Sequence, residues 1–300
     1  MPDGRAAGRD GAPLAAGGLS IAAGTLRTLG PAAAAAVAAV AGFDAIGVRF
    51  DTAAPEPGEL RCLRSVLDAT GLGVLDVEVV RIAPGDDAEA AKRLCGWGAE
   101  IGARFLLVVS DDPDRGRTVA RFAETGRIAA EHGMRAVLEF MRFTSVRTLS
   151  DAVGVVAAAG APGAGVLVDA LHLARCGDEP GALAAVAPEL LPYVQLCDAR
   201  AVGPSDAELA FEARHARLMP GDGQLPLGAL LQAVPADAAM SVEVLSDDGD
   251  ARPGIDVARR AIEAVGRLLG QSWRGPSDGA VPAPAGAAVA LEPMEVDRWT

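Results

Sequence analysis

The sequence predicts a (β/α)8 TIM barrel, an α/β fold, and three observations point to it. Eight short apolar runs alternate with eight helix-forming stretches along the chain. Strands that alternate with helices of this length form βαβ units, and their sheets are parallel. A chain of 300 residues with 50% hydrophobic content is long enough to close one such barrel. We therefore expect a single barrel, with a doubly wound open sheet as the alternative.

The expected elements follow in order along the chain. Runs rich in β-branched residues and leucine predict strands at 19–26, 45–50, 72–80, 103–110, 135–141, 164–171, 193–198 and 240–245. The intervening stretches, many of them rich in alanine, predict helices at 31–41, 58–70, 88–99, 114–132, 148–159, 180–190, 226–233 and 254–269.

Both ends of the chain fall outside this alternation. Residues 1–16 are rich in Gly, Ala and Asp, and residues 272–300 are rich in Pro, Ala and Gly. Such compositions do not build a packed core. We expect a flexible N-terminal segment at 1–16, a barrel domain at 17–271 and a Pro/Ala-rich C-terminal tail at 272–300.

Composition excludes several function classes. The net charge of −13 leaves no basic surface for nucleic acid, and the longest apolar run, PAAAAAVAAVAGF, is too short for a bilayer span of roughly 20 residues. Lys92 is the only lysine and lies in a polar helical stretch, so Schiff-base chemistry has no obvious residue. The four cysteines are widely spaced, as in reduced proteins. We expect a cytoplasmic protein without nucleic-acid or membrane partners.

Polar residues stand at or near the ends of the last four predicted strands, which are Glu139, Asp169, Gln195 with Asp198, and Glu243 in chain order. In TIM barrels these strand ends gather around the active site. Three carboxylates in a low-dielectric pocket need a countercharge, and a divalent cation is the simplest one. The alternative for each residue alone is a structural hydrogen bond. Glu78 on the third strand similarly either contacts substrate or forms a hydrogen bond inside the barrel.

Five segments of the chain resemble a known family, the xylose isomerase-like TIM barrels annotated among sugar phosphate isomerases and epimerases. The segments are AVLEFM, GVLVDALHLARCG, YVQLCDA, ARLMPGDGQLPL and SVEVL, and the resemblance spans roughly residues 16–270. It implies one divalent metal bound by Glu139, Asp169, Gln195 and Glu243. It also implies that Glu139 and Glu243 are the catalytic proton-transfer pair.

The resemblance implies substrate contacts as well. His172 matches the histidine of the family's D-x-x-H element, and Arg217 matches the arginine before the turn PGDG. We expect Arg142, in the loop after the fifth strand, to bind substrate too. Arg49 and Arg81 lie near the ends of the second and third strands, where they either bind an anionic group or form surface ion pairs.

One departure from the family pattern concerns the metal. Many members have histidine on the seventh strand, whereas this chain has Gln195. A ligand set made only of oxygen favours hard cations over Zn²⁺. We therefore expect one divalent metal, Mn²⁺ or Mg²⁺.

Such a site predicts carboxylate-mediated proton transfer through a metal-stabilised ene-diolate. We expect a metal-dependent isomerase or epimerase acting on a small sugar, keto-polyol or sugar phosphate. The first alternative is a lyase on the same scaffold, similar to an inosose or 3-dehydroshikimate dehydratase. The second is a non-catalytic or partner-dependent barrel. Members of the family often form dimers or tetramers, so a homo-oligomer is also an open expectation.

Overall fold

Eight parallel strands close into a barrel in the order β1 to β8. The structure is a computed structural model that describes residues 18–50, 55, 58–86 and 88–270. Each strand pairs with the next, and β1 pairs with β8 to close the ring. The predicted fold class is confirmed. The terminal segments predicted at 1–16 and 272–300 lie outside the described residues.

The strands are short and mostly buried on both faces, as expected for a parallel barrel covered by helices. They are β1 Leu19–Ile21, β2 Ala45–Arg49, β3 Gly73–Ile82, β4 Phe105–Ser110, β5 Arg135–Glu139, β6 Gly165–Asp169, β7 Tyr193–Leu196 and β8 Ala239–Val242. Several predicted runs were too long at their C-terminal ends, because apolar character continues into the buried loops that follow the strands.

Ten α-helices lie in the described part of the chain. They are α1 Pro31–Ala41, α2 Glu59–Thr70, α3 Glu89–Glu100, α4 Arg115–Glu131, α5 Leu149–Ala159, α6 Ala170–Cys176, α7 Leu209–His215, α8 Leu227–Ala233, α9 Asp247–Asp250 and α10 Gly254–Leu268. Over the same residues, no helix is long and apolar enough to cross a membrane.

The segment after β6 differs from the prediction. The strand was expected to continue to Leu171, but α6 begins at Ala170 because the Asp169 side chain accepts a hydrogen bond from the His172 backbone N–H at 2.9 Å. An aspartate at this capping position stabilises a helix start by about 1 kcal/mol. The helix predicted at 180–190 is wrong: this stretch forms two 3₁₀ turns, Pro180–Ala185 and Pro188–Leu190.

The barrel interior is packed, so the site can open only at the mouth. Phe105, Leu107, Val137 and Leu167 fill the interior together with Tyr193, whose ring stacks on Phe105 at 5.4 Å between centroids. A separate and larger apolar layer lies between the strands and the surrounding helices. Inward side chains therefore pack in layers up to the C-terminal strand ends, as in other TIM barrels.

This packing predicts different costs for two phenylalanines. Phe122 on α4 is fully buried, whereas Phe211 on α7 is 58% exposed. Phe122→Ala should lower the free energy of unfolding by about 3–5 kcal/mol, because the cavity cannot close fully. The matched variant Phe211→Ala should lower it by less than about 1 kcal/mol. Urea unfolding followed by circular dichroism measures both, and equal losses would contradict the layered packing.

Candidate active site

Three carboxylates converge at the C-terminal mouth of the barrel. Glu139 ends β5, Asp169 ends β6, and Glu243 follows β8, where its backbone N–H donates to the Leu196 carbonyl at 3.0 Å. One oxygen from each carboxylate lies within 4.8 Å of the others, and all three residues are buried. The structure thus brings together the three acids that the strand-end pattern singled out.

Gln195 lies beside Asp169, its register partner on the neighbouring strand. Its side chain is fully buried, and neither its amide oxygen nor its amide nitrogen has a hydrogen-bond partner among the described residues. An unsatisfied buried polar group costs about 1–3 kcal/mol. A ligand that accepts electron pairs from the amide oxygen would remove the part of that cost that comes from the oxygen. The three carboxylates and this amide therefore fit a hard divalent cation such as Mg²⁺ or Mn²⁺.

Arg217 supplies positive charge inside this cluster. Its Nη1 lies 2.7 Å from Asp169 Oδ2 and 3.0 Å from Glu243 Oε2, and its Nε donates to the Ala213 carbonyl at 2.7 Å. Burial by itself raises the pKa of Asp169, but the guanidinium and the hydrogen bonds to Asp169 outweigh it and leave that pKa below its usual value. Asp169 is therefore ionised at neutral pH.

His172 completes the cluster as a neutral imidazole. Burial, with a smaller contribution from Arg217, lowers its pKa to about 4 despite the opposing charge of Asp169. Its Nε2 lies 3.4 Å from Arg217 Nη2 and 3.8 Å from Glu139 Oε1. An arginine only donates, so a hydrogen bond between these two groups requires Nε2 as the acceptor and the ring proton on Nδ1. Phe143 packs edge-on against the ring at 5.7 Å.

Both glutamates hold protons more tightly than usual. Burial raises the pKa of Glu243 to about 8, although the Arg217 contact opposes the shift. Burial and the charges of Glu243 and Asp169 raise the pKa of Glu139 well above its usual value. Two carboxyl groups with raised pKa values, facing one cleft, are suited to donate and accept protons near neutral pH.

A cleft of about 90 Å³ gives access to these groups. Glu139, His172, Arg217 and Glu243 line it together with Glu78 of β3, and three further arginines, Arg49, Arg81 and Arg214, line it as well. A larger surface groove of about 710 Å³, beside the exposed Phe211, contains none of the three convergent carboxylates.

The three additional arginines add positive charge to the lining of the cleft. Arg49 lies opposite Glu78 in the β2–β3 register, and Arg81 forms an ion pair with Asp111. Burial and the nearby Arg81 charge lower the pKa of Arg214. Sequence reasoning left the roles of Arg49 and Arg81 open and missed Arg214, which lies on short helix α7 within a predicted loop. The only available signal was its spacing of three residues before Arg217.

The structure does not bring Arg142 to the cleft. Its side chain is 40% exposed, with Nε 3.1 Å from Asp206 Oδ1. The loop after β5 turns back on itself, with Met141 N–H donating to the Val146 carbonyl, and its neighbours Met141 and Phe143 line the cleft instead. The expected role of Arg142 in substrate binding is therefore not supported by its position.

The buried acids predict how stability depends on pH in the metal-free protein. The pKa values of Asp76 and Glu78 are raised to about 7, and that of Glu243 to about 8, mainly by burial. These groups keep protons that the unfolded chain releases above about pH 4, so their contribution to stability is lost as pH rises to about 8. His172 changes stability in the opposite direction. Because its pKa is lowered to about 4, its contribution to stability is lost as pH falls below about 6.5.

The free energy of unfolding should therefore decrease from pH 6.5 to 8 by roughly 1.4 kcal/mol per pH unit for each proton released. Urea titrations at several pH values measure this slope. Glu243→Gln should reduce the slope, while Glu131→Gln, a change at an exposed surface ion pair, should not. A slope that is flat, or that Glu243→Gln leaves unchanged, would contradict the raised pKa of Glu243.

Comparisons with characterised proteins agree with this architecture. Two 3-dehydroshikimate dehydratases, from Pseudomonas putida and Pseudomonas aeruginosa, are 24% and 28% identical to the chain over 231 and 247 residues. These matches cover 72% and 77% of this chain but only 36% and 38% of the two relatives. The chain thus spans less than two fifths of the length of these curated relatives.

Solved structures share the fold at lower identity. The zinc-bound IOLI protein superposes with a TM-score of 0.73 at 17% identity, covering 84% of this chain and 98% of that one. D-allulose 3-epimerase from Methylomonas sp. superposes with a TM-score of 0.65 at 16% identity, covering 83% and 96%. The sequence profile of the xylose isomerase-like TIM barrels matches residues 35–267. The chain therefore belongs to the xylose isomerase-like TIM barrel family.

Proposed function

We propose that this protein is a divalent-metal-dependent lyase that dehydrates a small hydroxyketone carrying a carboxylate, a substrate of the 3-dehydroshikimate type. One observation carries the proposal: Arg49, Arg81 and Arg214 line the same cleft as the glutamate pair. A neutral sugar offers these arginines only uncharged hydrogen-bond acceptors, whereas a carboxylate adds a countercharge that strengthens the hydrogen bonds. The similarity to two 3-dehydroshikimate dehydratases supports the same substrate class.

Asp169, Gln195 and Glu243 would hold the metal in this proposal, and Glu139 would add a fourth ligand in its ionised form. When bound, a divalent cation polarises a substrate carbonyl and lowers the energy of the enolate that follows proton loss. The fully buried, unpartnered amide of Gln195 is the feature of the protein that this assignment explains best.

Glu243 and Glu139 divide the proton transfers. Glu243 contacts Arg217 at 3.0 Å, which favours its ionised form, so it serves as the base that takes a proton from the carbon next to the carbonyl. Among the described residues Glu139 has no ion pair with an arginine, its oxygen lies near those of Asp169 and Glu243, and His172 Nε2 is 3.8 Å away. Glu139 therefore keeps its proton and gives it to the departing hydroxyl. One C–H and one C–O bond break, a C=C bond forms, and water leaves.

A second candidate is the isomerase or epimerase expected from the family resemblance. The same glutamates could return the abstracted proton to a neighbouring carbon or to the opposite face, and the arginines could bind the phosphate of a sugar phosphate. The two candidates differ in the product, because dehydration of a cyclic hydroxyketone gives a conjugated enone that absorbs in the ultraviolet. Isomerisation produces no such chromophore.

Glu243→Gln tests the proton-transfer assignment. The protein with Mn²⁺ or Mg²⁺ should convert 3-dehydroshikimate with a rise in ultraviolet absorbance, and Glu243→Gln should lower kcat at least ~100-fold, since a general base contributes 10²–10⁴-fold. Glu131→Gln is the matched control and should retain activity. Inosose, a ketose and a ketose phosphate complete the substrate panel, with solvent deuterium incorporation as the second readout.

The outcomes separate the hypotheses. Deuterium exchange into a ketose phosphate without new absorbance would favour the isomerase. Activity that survives Glu243→Gln would refute the assigned base. Absence of turnover and exchange on every substrate, with metal bound, would favour the non-catalytic or partner-dependent barrel.

The arginines should discriminate substrates by charge. Arg49→Gln should raise KM for a carboxylate substrate ~10-fold or more, because one charge-assisted hydrogen bond is worth about 1.5–3 kcal/mol. It should change KM for a neutral ketose or inosose little, if those react at all. Arg64→Gln, at an exposed arginine that faces Glu100 on the outer helices, is the control. Equal effects on charged and neutral substrates would argue against an anion-binding role.

A further inference from the structure

We propose that Asp198 is a positioning residue that holds Arg217 in the carboxylate cluster, acting through the loop between them. Its importance for catalysis rests on the proposed function, but the placement of Arg217 can be measured without substrate. Asp198 lies two residues past β7 and is buried. It does not line the cleft, so it has no direct path to a substrate.

The Asp198 carboxylate organises the loop that follows Arg217. Its Oδ1 accepts the backbone N–H groups of Ala199 at 2.8 Å and Leu225 at 2.9 Å, and its Oδ2 accepts that of Gly221 at 3.0 Å. Gly221 lies in the turn PGDG and Leu225 follows it, whereas Ala199 is the residue next to Asp198. A single carboxylate side chain thus closes the loop, and hydrogen bonds to a charged acceptor are about twice as strong as neutral ones.

The backbone of Asp198 is tied to the same loop. Its N–H donates to the Leu218 carbonyl, and the Leu218 N–H donates back to its carbonyl, both at 2.8 Å. Leu218 follows Arg217 directly, and the Arg217 N–H donates to the Leu245 carbonyl at 3.2 Å. The backbone around Arg217 is therefore hydrogen-bonded to the segments that follow both β7 and β8, and Asp198 supplies the contacts after β7.

Gly223 shows how tightly the loop closes on this carboxylate. A Cβ atom at this position would lie 2.4 Å from Asp198 Oδ1 and 2.4 Å from the Ala199 carbonyl oxygen, closer than real contacts allow. Two independent substitutions can therefore disturb the packing of this loop against Asp198. Asp198→Asn removes a charged acceptor, and the added methyl group of Gly223→Ala pushes the loop away from the carboxylate.

Asn at position 198 keeps the size of the side chain but has only one acceptor oxygen. Its NH₂ group would face a backbone N–H that the carboxylate now accepts, so at least one donor would lose its partner. Arg217 makes contacts of 2.7 and 3.0 Å to Asp169 and Glu243. A displacement of about 1 Å in such a site can cost ~100-fold in rate.

The first test follows Arg217 itself in the substrate-free protein. Its Nε–H is buried and bonded to the Ala213 carbonyl, so its ¹⁵N–¹H NMR signal should exchange slowly with solvent; Arg217→Lys assigns it by loss of the signal. Asp198→Asn and Gly223→Ala should each speed that exchange at least ~10-fold. Asp112→Asn is the matched control, since buried Asp112 bonds to Asp114 and Arg117 in a different loop of the same face.

The second test is a double-variant comparison of kcat/KM. Asp198→Asn alone should lower kcat/KM ~10–100-fold. The double variant Asp198→Asn/Arg217→Lys should be no slower than Arg217→Lys, because both substitutions disturb the same placement of the Arg217 guanidinium. Asp112→Asn should combine additively with Arg217→Lys.

Unchanged Arg217 exchange in both loop variants, or additive losses in the double variant, would overturn the proposal. The NMR measurement decides the positioning role even if no substrate in the panel turns over, so failure of the proposed function and failure of this inference give different results.

Discussion

The arrangement of side chains at the mouth of this barrel depends on how buried negative charge is compensated. Glu139, Asp169 and Glu243 lie within one small buried cluster, and Arg217 contacts two of them. A buried ion pair rarely adds net stability, but a buried carboxylate without any partner is far more costly. One guanidinium cannot neutralise three carboxylates. The remaining negative charge must be removed by protonation or balanced by a cation, and either route is compatible with the proton transfer proposed for Glu139 and Glu243.

The loops around the mouth are held by charged groups that the fold buries. Asp169 caps α6 with one oxygen and pairs with Arg217 through the other. Arg27 is buried between the Arg214 carbonyl and Asp250, and so ties the end of α7 to α9. Because these interactions are directional, they restrict the conformations of the loops at the mouth more than apolar contacts alone would. The barrel provides a rigid support, and the ionic contacts orient the loop side chains.

The sequence was most informative where backbone periodicity decides the outcome. Strand–helix alternation predicted the closed barrel, and a polar residue at each of four strand ends predicted the convergence of Glu139, Asp169 and Glu243. It was least informative in loops. Arg142 stays out of the cleft because the loop after β5 folds back, which no local pattern indicated. The PGDG motif did indicate Arg217, but its contacts with Asp169 and Glu243 depend on the tertiary closure of the loop after β7 through Asp198.

In the proposed function, the position in which the substrate is bound decides whether the enolate loses a hydroxyl group or is reprotonated. The glutamate pair can serve either reaction, since both begin with loss of a proton next to a carbonyl. What differs is whether a hydroxyl on the adjacent carbon reaches the protonated Glu139 before the carbanion is reprotonated. That geometry depends on an anchor distant from the reacting carbon. Arg49, Arg81 and Arg214 line the cleft that holds the glutamates and can fix one end of an anionic substrate. We therefore propose that these three arginines decide between the lyase and the isomerase reaction, while the carboxylates provide the proton transfer common to both.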